Sequence, residues 1–192
     1  MITTYTDWPE VLEVKREPNQ KAKVFGGGGW HADFTWNTTP GYVSLLHGKT
    51  VPSVGGDTCF VSSIAVFESL SPKMQSILRE LKAIHVYHDY DGELDIHYNA
   101  THPVVRTHPI TGKEGLFVNA MFVTQFEDMS IDESRPLLDY LFKLLEEHRF
   151  SCRFQWKEGG LLLWDNRFTV HYPINDTHGE RRFMIWSSAL EK

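Results

Sequence analysis

His31 and Asp33, two positions apart in Trp30-His31-Ala32-Asp33-Phe34, are residue types that hold divalent metals. In an extended segment residues i and i+2 point to one face, about 6–7 Å apart along the backbone, so one ion could take both side chains. Alone, such a pair also fits an ordinary surface turn. A second cluster, Trp164-Asp165-Asn166-Arg167-Phe168-Thr169-Val170-His171, ends in a histidine 140 residues after His31, and Arg182 follows 11 positions later. Two imidazoles and one carboxylate on one face make the triad that binds non-haem Fe(II) and leaves positions open for a co-substrate and O2. An always-charged arginine suits the bidentate grip of a carboxylate. That is the arrangement needed if 2-oxoglutarate chelates iron through its keto acid and pairs its remote carboxylate with Arg182.

The elements that must position these groups are mainly strands. Residues 41–46, 57–61, 84–88, 94–98, 116–124, 151–156, 160–164, 168–172 and 181–188 are rich in Val, Ile, Phe, Trp and Tyr, several bounded by Gly, Pro, Asn or Asp. Three helices punctuate them. Ser71-Pro72 is an N-cap followed by proline at the first helical position, ahead of Met74, Ile77, Leu78 and Leu81 at helical spacing. Ser130 and Glu133 form a capping box before a helix over about residues 131–148, and a shorter helix starts at Ser62 or Ser63 and ends near Leu70. Strands and helices do not alternate regularly, which argues against a parallel α/β sheet. The expectation is a mainly β fold with helices, an antiparallel sandwich or jelly roll, in one domain over 1–192. The run Gly26–Gly29 lacks the spacing of a dinucleotide loop and reads as a place where the backbone turns sharply.

Composition narrows the partners. With 19 Lys+Arg against 25 Asp+Glu the net charge is −6, and no basic cluster offsets it, so a nucleic-acid partner is excluded. No apolar run approaches the ~18–20 residues that cross a bilayer, and Met1–Glu10 is polar, so the expected partner is a small molecule in the cytoplasm, not a membrane. Cys59 and Cys152 belong to no CxxC pair and read as reduced, buried thiols. Of ten histidines, two are assigned to metal. His102 and His108, each before a proline, are read as structural residues in a turn; His47, His97, His148 and His178 belong to no constellation; and His85 and His88 would face opposite sides of a strand.

Taken in order, Trp30 to Trp36, Pro52-Ser53-Val54-Gly55-Gly56-Asp57-Thr58, His102 to Pro109, Leu116 to Asn119, Trp164 to His171, and Arg181-Arg182-Phe183-Met184 resemble the motifs of the taurine dioxygenase (TauD/TfdA) family. The resemblance runs from about residue 30 to residue 186. It implies a double-stranded β-helix (jelly-roll) core and an Fe(II)- and 2-oxoglutarate-dependent dioxygenase that hydroxylates a small organic substrate, consuming O2 and releasing succinate and CO2. It further implies His31, Asp33 and His171 as iron ligands, and Arg182 and Thr58 as partners of 2-oxoglutarate. Phe122 matches a substrate-facing position, Phe34 follows the metal pair, and Trp164 and Asn166 are read as supports of the His171 strand. Retention of Asp33 disfavours halogenation, for which related enzymes replace the carboxylate.

Two departures bear on substrate. Sulfonate-oxidising members carry a second arginine four residues after the first; here that position is Trp186, which cannot pair with an anion, and Arg181 would face the other side of a strand. Taurine is therefore disfavoured, and Trp186 joins Phe34 and Phe122 as an expected substrate contact. The 30 residues before His31 are few for the family, which leaves a more open pocket, completion by another subunit in a homo-oligomer, or a truncated form. Two other readings stay open: a catalytically impaired jelly roll that binds a ligand or partner, and a zinc hydrolase, which would leave Arg182 without a role.

Overall fold

The computed structural model describes residues 2–5, 8–19, 29–87, 98–177 and 179–191. Gly26 to Gly28 of the glycine run, the expected strand 94–98 except Tyr98, and His88, His97 and His178 lie outside the described residues. In chain order the strands are β1 (Ile2–Tyr5), β2 (Trp8–Arg16), β3 (Gly41–Thr50), β4 (Thr58–Ser62), β5 (Lys82–Tyr87), β6 (Tyr98–Pro103), β7 (Val105–Thr107), β8 (Glu114–Leu116), β9 (Val123–Phe126), β10 (Ser151–Phe154), β11 (Leu161–Asp165), β12 (Thr169–Pro173) and β13 (Arg182–Leu190). The helices are α1 (Ser63–Glu68), α2 (Pro72–Glu80) and α3 (Ile131–Leu145).

Two antiparallel sheets form the jelly-roll core: a five-stranded one in the order β1-β2-β13-β3-β11 and a three-stranded one in the order β10-β4-β12. Alternation along β4 and β12 gives the smaller sheet two working faces. Val61 and Val170 join the larger hydrophobic cluster with Leu78 of α2 and Leu138, Leu141, Leu144 and Leu145 of α3. Full burial of each such leucine contributes about 1.5–3 kcal/mol. Phe60 lies with Leu46, Trp156, Trp164 and Met184 in a second cluster, and its partner across the ladder is His171. The histidine therefore looks inward, between the sheets.

The helix starts follow the local signals. The Ser71 side chain caps α2 ahead of Pro72, and Ser130 and Glu133 make both halves of the capping box of α3. The expected helix to residue 148 stops at Leu145, where the chain passes into a short 3₁₀ turn, His148–Phe150. The expected strand 116–124 is two strands, β8 and β9, because Asn119 accepts from the Phe122 N–H at 2.9 Å and folds a turn between them. His102 sits in strand β6 instead of a turn, buried. The cysteines are not buried: Cys59 is half-buried and Cys152 exposed on the edge strand β10. Strands β1 and β2 were not anticipated, and β2 supplies a whole flank of β13.

Candidate metal centre and co-substrate pocket

His31 precedes β3 and reaches the smaller sheet through a two-way backbone bridge with His171: His31 N–H donates to His171 O (2.9 Å) and His171 N–H to His31 O (2.7 Å). Residues 140 positions apart in the chain are thereby fixed side by side, their rings 4.2 Å apart. Asp33 follows in a tight turn in which Phe34 takes a left-handed conformation (φ 56°), uncommon for a bulky residue and a site of stored strain. Gly41 permits that turn, since a Cβ there would stand 2.4 Å from Asp33 O.

The donor atoms converge. Asp33 Oδ1 lies 3.8 Å from His31 Nε2 and 3.8 Å from His171 Nε2, and one donor from each of the three residues falls within 4.8 Å of the others. The His31 Nδ1 is held at 2.8 Å from Gly29 O, so this carbonyl takes the Nδ1 proton and leaves Nε2 as the lone-pair donor. Burial pushes the His171 pKa well below its usual value, an effect His31 reinforces, so the ring is neutral and able to ligate. Burial raises the Asp33 pKa against the lowering influence of His31, Ser44, Asn166 and Trp186. Two imidazoles and one buried carboxylate form a donor set that fits a divalent ion with N/O preference.

A polar network fixes the carboxylate. Trp164, Ser44 and Ser188 stand opposite one another on adjacent strands β11, β3 and β13. Ser44 Oγ donates to Asp33 Oδ2 at 2.5 Å, which occupies that oxygen and leaves Oδ1 facing the imidazoles. Asn166 Nδ2 donates to Ser44 Oγ (2.7 Å), while Asn166 Oδ1 accepts from Trp164 Nε1 (2.9 Å) and from the Asp33 N–H (3.1 Å). Trp164 and Asn166 thus brace Asp33 as well as the strand leading to His171. Ser44, fully buried, was missed from sequence: one serine in an apolar strand carries no signal of its partner.

From this centre the inner face leads past Phe60 and Met184 to Thr58 and Arg182. Thr58 Oγ1 accepts from Trp156 Nε1 at 3.0 Å, which leaves its own proton for a further acceptor. Arg182 is nine-tenths buried and donates from Nε to Gly56 O (3.2 Å). Burial lowers its pKa to about 10, opposed by the Asp57 carboxylate, so it remains a cation near neutral pH. The Gly55-Gly56 pair, with φ of 84° and 69°, brings the backbone against this side chain; a Cβ at Gly56 would meet Arg182 Cδ at 3.2 Å. Asp57 is engaged by Arg153 at 2.6 Å.

The structure also brings together the expected aromatic contacts. Phe34 stands against Trp186 (5.5 Å between centroids) and Phe122 meets the His31 ring edge-on at 6.0 Å. Trp36, which ends the first motif block but was given no role, and Tyr87, outside every motif, complete the wall: Trp36 lies 4.4 Å from Phe122, 5.5 Å from Phe34 and 4.6 Å from Tyr87. The five other described histidines lie outside the triad, His47 half-buried on β3. His102 Nε2 faces Asn37 O at 2.9 Å, His108 Nδ1 accepts two loop N–H groups at 3.2 Å each, His85 is buried beside His102, and His148 is exposed.

A jelly roll that presents two imidazoles and a carboxylate between its sheets falls among the metal-binding double-stranded β-helix proteins. The chain belongs to one family of them: the family model described as taurine catabolism dioxygenase TauD, TfdA family matches residues 2–187. It is 31% identical over 183 residues to a Saccharomyces cerevisiae protein named alpha-ketoglutarate-dependent sulfonate dioxygenase, covering 88% of this chain and 44% of that one. It is 30% identical over 170 residues to an Acinetobacter baylyi protein named alkylsulfatase, covering 80% and 53%. The crystal structure of a taurine dioxygenase from Burkholderia xenovorans superposes with a TM-score of 0.85 at 28% identity, covering 98% of this chain and 64% of that one. The chain spans about half the length of the curated relatives it matches.

Proposed function

We propose that this chain is an Fe(II)- and 2-oxoglutarate-dependent dioxygenase that hydroxylates a small organic molecule, with release of succinate and CO2. The observation that carries the reading is the convergence of His31 Nε2, His171 Nε2 and Asp33 Oδ1 at the inner face of the core. These three residues would hold the iron, which supplies the activation of O2 when bound. Thr58 and Arg182 would hold the remote carboxylate of 2-oxoglutarate, one by its free hydroxyl proton and the other by its guanidinium. Phe60, Met184 and Trp164, packed around the route between them, would exclude water and keep the co-substrate dry.

Phe34, Phe122 and Trp186, joined by Trp36 and Tyr87, would face the substrate. Trp186, at the position where sulfonate-oxidising members of the family carry a second arginine, stands in this wall against Phe34 at 5.5 Å. That favours an apolar or weakly charged substrate over taurine. Sulfonate, sulfate-ester and taurine activities are those named for relatives.

Anaerobic addition of Fe(II) and 2-oxoglutarate is the direct test. A visible metal-to-keto-acid charge-transfer band is expected, absent in His31→Ala and weakened in Arg182→Ala. A folded wild-type protein with no band would overturn the reading. In aerobic assays, candidate apolar substrates should stimulate succinate release where taurine does not.

A further inference from the structure

Arg16 ends strand β2, outside every motif of the chain, and stands directly opposite Arg182 across the β2–β13 ladder. Along β2 the partners of Trp186, Met184 and Arg182 are Leu12, Val14 and Arg16, so all three point to the inner face, and Val14 packs on the core cluster there. Like charges placed directly opposite on neighbouring strands repel. Burying a guanidinium nitrogen without a partner adds a desolvation cost. Both conditions hold: Arg16 Nη1 is buried with no hydrogen-bond partner among the described residues.

Among the described residues none supplies an anion to Arg16 Nη1. Arg16 and Arg182 line a small cavity with Pro173, Ile174, Asn175 and Thr177. Thr177 is 2% exposed, and its hydroxyl is also buried without a partner. Among the described residues Arg182 donates only from Nε, to Gly56 O, which leaves its two terminal nitrogens for a ligand. Asp57, the carboxylate whose charge acts on Arg182, is engaged by Arg153, and Asp176 Oδ1 accepts from the Gly56 N–H. The buried Arg182, the buried Nη1 of half-buried Arg16 and the buried Thr177 hydroxyl line one cavity and make a site for a carboxylate, whose two oxygens can accept from both arginines at once.

We propose that Arg16 is a second binding residue for the remote carboxylate of 2-oxoglutarate, clasping it together with Arg182 and the Thr177 hydroxyl. This rests on the dioxygenase reading above and adds to it a residue from the N-terminal strand. It also gives β2 a role in co-substrate selection. A keto acid without the second carboxylate would leave the two arginines facing each other.

The test compares 2-oxoglutarate with 2-oxovalerate, which keeps the keto acid but lacks the remote carboxylate, by calorimetric titration of the Mn(II)-loaded full chain. Arg16→Gln should weaken 2-oxoglutarate roughly tenfold, about 1.4 kcal/mol, and leave 2-oxovalerate unchanged. Arg16→Lys should recover part of the loss, which a purely structural role of the side chain would not produce. Equal weakening of both ligands, or of neither, overturns the assignment. So does unaltered 2-oxoglutarate binding accompanied by loss of thermal stabilisation by added sulfate, which would place a separate anion there. Failure of the wild type to bind 2-oxoglutarate would instead reject the dioxygenase reading itself.

Discussion

At the scale of single residues, the site shows how little separates a ligand from a bystander. His31, Asp33 and His171 were legible as candidates because two metal-holding segments stand in the order of a known family's motifs, and Arg182 because an arginine follows the distal histidine by 11 positions. Ser44 was not, since only the register of β3 against β11 and β13 puts its hydroxyl beside Asp33. The Ser44 hydroxyl holds Oδ2 and so presents Oδ1 to the imidazoles. Groups in this position commonly alter metal affinity by about 10–100-fold. Ser44→Ala should therefore weaken Mn(II) or Co(II) binding by at least roughly tenfold in a calorimetric titration, with far-ultraviolet circular dichroism unchanged. Ser188→Ala removes the 3.1 Å bond between the two serines but spares the one to Asp33. It should leave metal affinity near wild type; equal losses in the two variants would show that the serine row matters only for packing.

At the scale of elements, strands bearing motifs were readable, whereas β1 and β2 were hidden. The sequence Glu10 to Arg16 alternates, but its inward set ends in Arg16 and its outward set holds Glu13 and Lys15, so the apolar signal is diluted. The turn between β8 and β9 was hidden for the opposite reason: Phe117, Val118, Phe122 and Val123 are all buried, and a continuous apolar run masks the break at Asn119. Strands β5 and β6 carry a further consequence. His85 and His102 pack edge to face at 5.3 Å, each also against Phe117, in the buried layer behind the aromatic wall. Burial first, then the His102 and Arg106 charges, lower the His85 pKa to about 3, against an opposing influence of the Phe117 backbone. Below about pH 6.5 the unfolded chain takes up a proton that the folded chain refuses until about pH 3, so stability falls as pH falls across that window. Each pH unit inside it costs about 1.4 kcal/mol per such proton. His85→Leu removes the titrating group from an apolar setting and should flatten the decline of melting temperature between pH 6 and pH 4, as read by calorimetry. An unchanged acid limb in that variant would assign the loss to other groups.

At the scale of the whole molecule, the donor set joins distant parts of the chain. His31 and Asp33 lie in the segment entering β3, and His171 lies in β12 of the opposing sheet, so an ion held by all three ties one sheet's entry to the other sheet's edge. The backbone bridge between His31 and His171 prepares the connection, and the Asp33 carboxylate is left buried beside the two imidazoles. A divalent ion meets that donor set only in the folded state, because unfolding separates the ligands by the full length of the intervening chain. Binding therefore adds to folding stability by mass action, about 2.7 kcal/mol at a free metal concentration of 100 times Kd. For a chain of this size each kcal/mol moves the melting temperature by roughly 2–4 °C, so a rise of about 5–11 °C is expected. Protein stripped with a chelator and scanned with and without Mn(II) should show it. His31→Ala should lose the shift, whereas Arg182→Ala should keep the metal shift but lose the further increment that 2-oxoglutarate adds. A metal shift that survives in His31→Ala would mean that the ion binds elsewhere, and the proposed coupling of the two sheets through the triad would fall.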